Sequence, residues 1–221
     1  FRRVLFRSMN CPNCKKKSNK IKVYNFKSKK FEKKFFDCEK CNYAFSKNNR
    51  KVIYEKKKEN TNFNEKFDIF YLIKIFYFKF FFLNLLRQSK LILDFGCGSG
   101  ELSNSLVYDK NKKIFATDIF DERPKNLNKS VTYIKNKKIF EKKIKFDFIL
   151  VRHVLEHEKN FVKTVKKLKK LLANDAKLYI EVPNYFSIWR LFMKSRWPGY
   201  FYPYHFHVFS KKILEKNLKK I

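Results

Sequence analysis

Four of the five cysteines fall in two pairs, Cys11-Pro12-Asn13-Cys14 and Cys38-Glu39-Lys40-Cys41, separated by 23 residues. A CxxC turn can aim two thiolates at one ion about 2.3 Å away, and two such turns joined by a hairpin complete a tetrahedral site. The spacing predicts a zinc ribbon with Cys11, Cys14, Cys38 and Cys41 as ligands. The alternative is a pair of structural disulfides, which the expected reducing, cytoplasmic location disfavours. Four thiolates leave no open coordination position, so this zinc is expected to hold a fold and not to do chemistry.

The second constellation is a glycine loop, Asp94-Phe95-Gly96-Cys97-Gly98-Ser99-Gly100, preceded by the apolar run Leu91-Ile92-Leu93 and followed by the helix-compatible Glu101-Leu102-Ser103-Asn104-Ser105-Leu106. This reads as strand, tight turn and helix. Glycine admits positive φ and lets the backbone approach a ligand at the carboxyl end of a parallel strand. Cys97 is expected to be a small residue filling space beneath the loop and not a nucleophile. A dinucleotide fingerprint would place its third glycine at position 101, which is Glu, and no Gly-Lys-Ser/Thr follows to make a phosphate loop. The next apolar run, Lys113-Ile114-Phe115-Ala116-Thr117, ends in Asp118, 18 residues after Gly100. A carboxylate at that place can accept ribose hydroxyls.

The histidines are the third set. His153 and His157 flank Glu156 after the run Phe146-Asp147-Phe148-Ile149-Leu150-Val151-Arg152, and His205 and His207 sit in a late loop. A histidine titrates near neutral pH and could take a proton from a hydroxyl acceptor; packing or helix capping is the competing reading for each. His153 and His205 are the candidates carried forward as catalytic.

The complete DxGxGxG, Asp118 on the following strand and the segment Phe146 to His157, which reads FDFILVRHVLEH, together resemble class I S-adenosylmethionine (SAM)-dependent methyltransferases. Within that class the chain is similar to the ubiquinone-methyltransferase-like branch, the methyltransferase 23/11 type. Trp197, Pro203-Tyr204-His205 and Phe209-Ser210 resemble a later W…P-x-H…FS segment, so the likeness runs from residue 91 to the end. It implies an α/β fold with a Rossmann-like sheet and helices on both faces. It also implies SAM as cofactor, contacted by Asp94, Phe95, Gly96, Cys97, Gly98, Gly100, Asp118, Ile119 and Arg152. The family usually continues past a helix like 211–220 into two more strands, so the chain reads as C-terminally truncated.

The resemblance implies a small-molecule acceptor, since related zinc-ribbon methyltransferases act in sugar, glycan or secondary-metabolite pathways. Amino-directed nucleic-acid enzymes carry a [DN]PP[YF] clamp where this chain has Val151-Arg152-His153-Val154, and pyrimidine C5 enzymes need a cysteine, none of which lies beyond Cys97. An RNA methyltransferase and a non-catalytic zinc-ribbon binding protein are the alternatives.

These residues need elements to hold them, and 221 residues suffice for one α/β domain plus a small module. The expected layout is a non-native leader over 1–8 ahead of Met9, a zinc ribbon over 9–46, a linker and amphipathic helix over 47–90, and the methyltransferase domain over 91–221. Ile21-Lys22-Val23-Tyr24-Asn25-Phe26 alternates as a ribbon strand should. Residues 67–86 are long and apolar, but Asp68, Lys74 and Lys79 argue for a helix packed on protein and against a membrane span. A third strand is expected at 131–134 and a fifth at 176–184, after a helix with the apolar stripe Phe161, Val165, Leu168 and Leu172. The net charge of +33 comes from 44 Lys against 9 Arg. Bidentate phosphate recognition favours Arg, so a solvated lysine surface is expected over a nucleic-acid face. Oligomeric state is not legible.

Overall fold

The computed structural model describes residues 9–46, 76, 80–82 and 84–221. The expected leader and nearly all of the expected linker and helix over 47–86 lie outside the described residues; Phe76, Phe80, Phe81, Phe82, Asn84 and Leu85 are helical. The chain divides into two compact units, one of 54–152 with 167–180, the other of 1–53, 153–166 and 181–221.

The first of these units holds a five-stranded sheet in the order β7-β6-β5-β8-β9. Its strands are β5 (Leu91–Phe95), β6 (Lys113–Thr117), β7 (Thr132–Tyr133), β8 (Phe146–Arg152) and β9 (Leu172–Glu181), whose last residue falls in the other unit. β5 lies between β6 and β8 and is parallel to both, with Asp94 opposite Ala116 on one side and Leu150 on the other. A central parallel strand is covered on both faces, which is why Leu91-Ile92-Leu93 is a continuous apolar run. Ile92 and Leu93 are fully buried, and each such side chain is worth about 1.5–3 kcal/mol against exposure. Helix α1 (Glu101–Leu106) returns Leu102 and Leu106 to a core with Ile92, Ile114, Ala116, Leu127, Val131, Phe148 and Leu150, and the short α2 (Asn136–Ile139) buries Ile139.

The expected stripe over 161–172 differs at its end. Helix α3 (Phe161–Lys169) buries Phe161, Val165 and Leu168, but Leu172 already begins β9, which starts four residues before the strand expected at 176. No glycine or proline stands between Leu168 and Leu172 to mark the change from helix to strand, whereas Leu171, buried, closes the turn by accepting from Phe146 N–H at 2.8 Å.

In the other unit β1 (Met9–Asn10), β2 (Lys17–Asn25), β3 (Lys30–Cys38), β4 (Tyr43–Ser46) and β10 (His207–Val208) form a sheet in the order β1-β2-β3-β4-β10. The β2–β3 hairpin turns where the Asn25 carboxamide oxygen accepts from Lys27 and Ser28 N–H at 2.9 and 3.1 Å, an Asx turn. β10 is added antiparallel to β4, His207 opposite Phe45. Val23, Phe35 and Ala44 of the ribbon share one core with Tyr185, Trp197, Tyr200, Tyr202 and Val208 from the end of the chain. Helix α4 (Ile188–Met193) sends Arg190 onto Asp37 of β3 at 2.5 Å, and Tyr185 O–H donates to the same carboxylate at 2.8 Å. Helix α5 (Lys211–Leu218) follows β10 and buries Ile213. Among the described residues no helix is long and apolar enough to cross a membrane.

Candidate functional site

The glycine loop is built where β5 ends. Gly96 and Cys97 N–H both donate to Thr117 C=O, at 2.8 and 3.0 Å, which ties the turn to the neighbouring β6. Gly98 N–H donates to Asp118 Oδ2 at 2.8 Å, while Asp118 Oδ1 meets Phe120 N–H only at 3.4 Å. Gly96, Gly98 and Gly100 all have positive φ, and the two latter differ in what surrounds them. A Cβ on Gly100 would lie 2.6 Å from Leu127 Cδ1, so a side chain there would have to displace the tip of Leu127 as well as adopt φ 87. A Cβ on Gly98 would meet nothing within 4 Å. Gly98 therefore borders open space, as a ligand cradle should.

Beneath the loop Asp94 is buried and accepts from Ser103 Oγ of α1 at 2.6 Å. Burial pushes its carboxyl up to about 6, against the opposing pull of the Ser103 hydroxyl and the Arg152 charge. Cys97 packs partly buried against the same core, and burial pushes its thiol well up, so it is a filler and no activated nucleophile. Phe95 is buried at the strand end, and Ile119, beside Asp118, is 58% exposed. Tyr133 O–H donates to Phe120 C=O and Arg123 donates to Val131, Leu127 and Asn128 C=O, which fixes the chain on either side of this exposed side chain. Neither Tyr133 nor Arg123 carries a motif that would single it out.

The histidines lie in the other unit, which begins again at His153. His153 takes φ 52, a strained left-handed conformation for a side chain of this size, of a kind that gathers at functional sites. Its Nδ1 is 3.1 Å from Glu156 Oε1 and its Nε2 3.2 Å from Glu181 Oε1. The Glu156 bond first and the Glu181 bond second raise its pKa to about 9. His205 is 7% exposed, donates Nδ1–H to Gly199 C=O at 2.8 Å, and is lowered to about 4 by burial. His207 is likewise lowered to about 4 by burial; it donates Nε2–H to Glu158 C=O at 2.9 Å and receives Tyr43 O–H at Nδ1 at 2.5 Å. It is a packing residue of the β4–β10 pair. Glu156, which the sequence reading passed over, is fully buried, and its Oε2 has no hydrogen-bond partner.

The four ribbon cysteines come together as expected. Their Sγ atoms all lie within 4.8 Å of one another, with Cys14 and Cys38 at 3.6 Å, and none of the five cysteines is in a disulfide. A tetrahedron with ~2.3 Å zinc–sulfur bonds has edges of about 3.8 Å, so the donor set fits zinc. Both knuckles turn in the same way, with left-handed Lys15 after Cys14 and left-handed Asn42 after Cys41. Lys16 N–H pulls the Cys14 thiol down to about 7, while burial pushes Cys11 and Cys41 up.

Several solved structures are similar in fold. A 1,6-didemethyltoxoflavin-N1-methyltransferase from Burkholderia thailandensis aligns at 15% identity and TM-score 0.48 over 66% of this chain and 65% of its own. A SAM-dependent methyltransferase from Archaeoglobus fulgidus aligns at 18% identity and TM-score 0.49 over 69% of this chain and 73% of its own. The plantazolicin methyltransferase BamL aligns at 17% identity and TM-score 0.47 over 68% of this chain and 60% of its own. The first and third matches thus span less than two thirds of those proteins. No curated protein matches the sequence. A family model described as a methyltransferase domain matches residues 71–221, two thirds of the chain, and takes in the glycine loop, Asp118 and the whole parallel sheet. The chain belongs to this methyltransferase-domain family.

Proposed function

We propose that the loop 94–100 and Asp118 bind SAM and that the chain transfers its methyl group to a small-molecule acceptor. The observation that carries the reading is the contrast at the loop. Gly98 opens onto space and is held by Asp118, whereas a side chain at Gly100 would meet the tip of Leu127. SAM supplies an electrophilic methyl on a sulfonium. Asp118 spends Oδ2 on the loop and keeps Oδ1, with its long contact to Phe120, for a ribose hydroxyl. Exposed Ile119 offers an apolar face to an adenine ring. Asp94, buried beneath, fixes α1 against the strand and is a positioning residue. Phe95, Gly96, Cys97 and Arg152 complete the set proposed for the cofactor.

A small-molecule acceptor is supported by Val151-Arg152-His153-Val154 in place of an amino-directed clamp, and by a lysine-dominated charge. Much of the rate gain would come from holding acceptor and methyl in near-attack geometry. His153 is the proposed base for a hydroxyl acceptor; His205, buried and bound to Gly199, is the weaker of the two. The ribbon's zinc is proposed as structural. Calorimetry with SAM tests the assignment: Asp118→Asn, which preserves an acceptor for Gly98 N–H, is expected to weaken binding more than tenfold. Affinity equal to that of the unaltered chain would sink it.

A further inference from the structure

We propose that Glu156, His157 and His205 form a second divalent-cation site, built of different donors from the four cysteines and keeping an open coordination position. The donor atoms of the three residues lie within 4.8 Å of one another. Glu156 is fully buried with Oε2 unpartnered, and a buried carboxylate oxygen left without a donor costs more than a protein ordinarily leaves uncompensated. A cation is the partner that the rest of the geometry fits.

Each histidine is oriented in the way a metal ligand is. His157 Nδ1 faces Tyr204 C=O at 3.2 Å and His205 Nδ1 faces Gly199 C=O at 2.8 Å. A carbonyl only accepts, so both Nδ1 atoms carry the proton and both lone pairs sit on Nε2, the tautomer that a backbone carbonyl behind a ligating histidine enforces. The two rings meet edge to face with centroids 4.5 Å apart. His153 then acts from behind: its Nδ1 holds Glu156 Oε1 at 3.1 Å while its Nε2 is held by Glu181 at 3.2 Å, which aims the carboxylate. The carboxylate itself lies on a short 3-10 turn, Leu155–His157, fastened by Phe206 N–H donating to Glu156 C=O at 2.7 Å.

Two imidazoles and one carboxylate select a borderline divalent ion such as Zn²⁺, Co²⁺ or Ni²⁺ over Mg²⁺ or Ca²⁺, which prefer all-oxygen shells. Three protein ligands on an ion that takes four or more leave a position for water or an oxygen of a ligand. His205 and Glu156 are buried and His157 is partly exposed, so entry would be on the His157 side.

Cobalt distinguishes this site from the ribbon, because thiolate ligation gives intense charge-transfer absorption and nitrogen–oxygen ligation gives only weak d–d bands. Co²⁺ titrated into the purified chain carrying a single equivalent of zinc, which the four-thiolate ribbon takes first, is expected to produce saturable d–d bands at one equivalent, without the charge-transfer band. His205→Ala should abolish them, and Glu156→Gln should weaken binding at least tenfold. The titration of the unaltered chain needs no variant to fold. If it shows no saturable d–d absorption, or if His205→Ala retains it at the same affinity with circular dichroism unchanged, the proposal is overturned. SAM binding is read separately and is unaffected by either result.

Discussion

Gly98 and Gly100 occupy the same kind of backbone conformation for different reasons, and substitution separates them. Gly100→Ala adds a clash with Leu127 to left-handed strain and is expected to cost about 2–4 kcal/mol, read by thermal or denaturant unfolding. Gly98→Ala carries the strain alone, about 1–2 kcal/mol, while SAM affinity should fall far more than that strain explains. Equal losses of stability in the two variants would contradict the distinction. Asp94 makes a pH prediction. Its folded-state carboxyl, raised to about 6, lies above the unfolded value of about 3.9, so it holds its proton more tightly when folded. Its contribution is therefore greatest below the unfolded value and is lost as pH rises through about 6, at most about 3 kcal/mol. Asp94→Asn should flatten the stability change between those pH values, measured by denaturant midpoint. His153, raised to about 9, is charged at neutral pH, so if it serves as base the methyl-transfer rate should rise as pH approaches that value. Glu156→Gln or Glu181→Gln should move the inflection down toward the ordinary histidine range near 6.5. An inflection that stays where it is in both variants would exclude His153 as the group observed. At this scale the sequence was informative about residue type and silent about environment: the glycines, Asp118 and the cysteines could be named from spacing, but the difference between Gly98 and Gly100 depends on Leu127, 27 residues on.

The elements hold these residues in two ways. In the parallel unit each element is local: strand, loop and α1 are consecutive, and hydrogen bonds from Gly96 and Cys97 to Thr117 reach only the next strand. Such connections leave a periodic imprint, which is why β5, α1 and β6 could be placed from pattern. The other unit is assembled from distant pieces. β10 has two residues, too few for any alternation, and it pairs with β4 across more than 160 positions. Asp37 collects Arg190 and Tyr185 from the far end of the chain, and the Arg190 guanidinium lies 3.9 Å over the Tyr185 ring. Asp37→Ala would leave a half-buried guanidinium without its carboxylate and is expected to destabilise by about 2 kcal/mol, read as a lowered thermal midpoint. Arg190→Ala combined with Asp37→Ala should cost less than the sum of the two singles, because the charge is removed with its partner. Additive losses would show that the pair is not coupled.

For the molecule as a whole, zinc is expected to stabilise more than the ribbon. Ribbon and chain end share one core through Val23, Phe35 and Ala44 with Tyr185, Trp197, Tyr200 and Val208. Chelation should therefore raise hydrogen exchange across 181–218 together with 9–46, and protection retained in the later segment would refute the shared core. Local chemistry leaves its mark in the order of residues: four thiols at ribbon spacing, a glycine turn closed by an acid on the next strand, and the apolar runs of a parallel sheet. Tertiary structure decided what depends on distant residues meeting. It joined the last strand to the ribbon, set His205 beside His157 and Glu156, and left one oxygen of Glu156 unpartnered. The reason is physical: a spacing rule records which atoms one turn can bring together, whereas a carboxylate's partners across a core are fixed only when both segments pack.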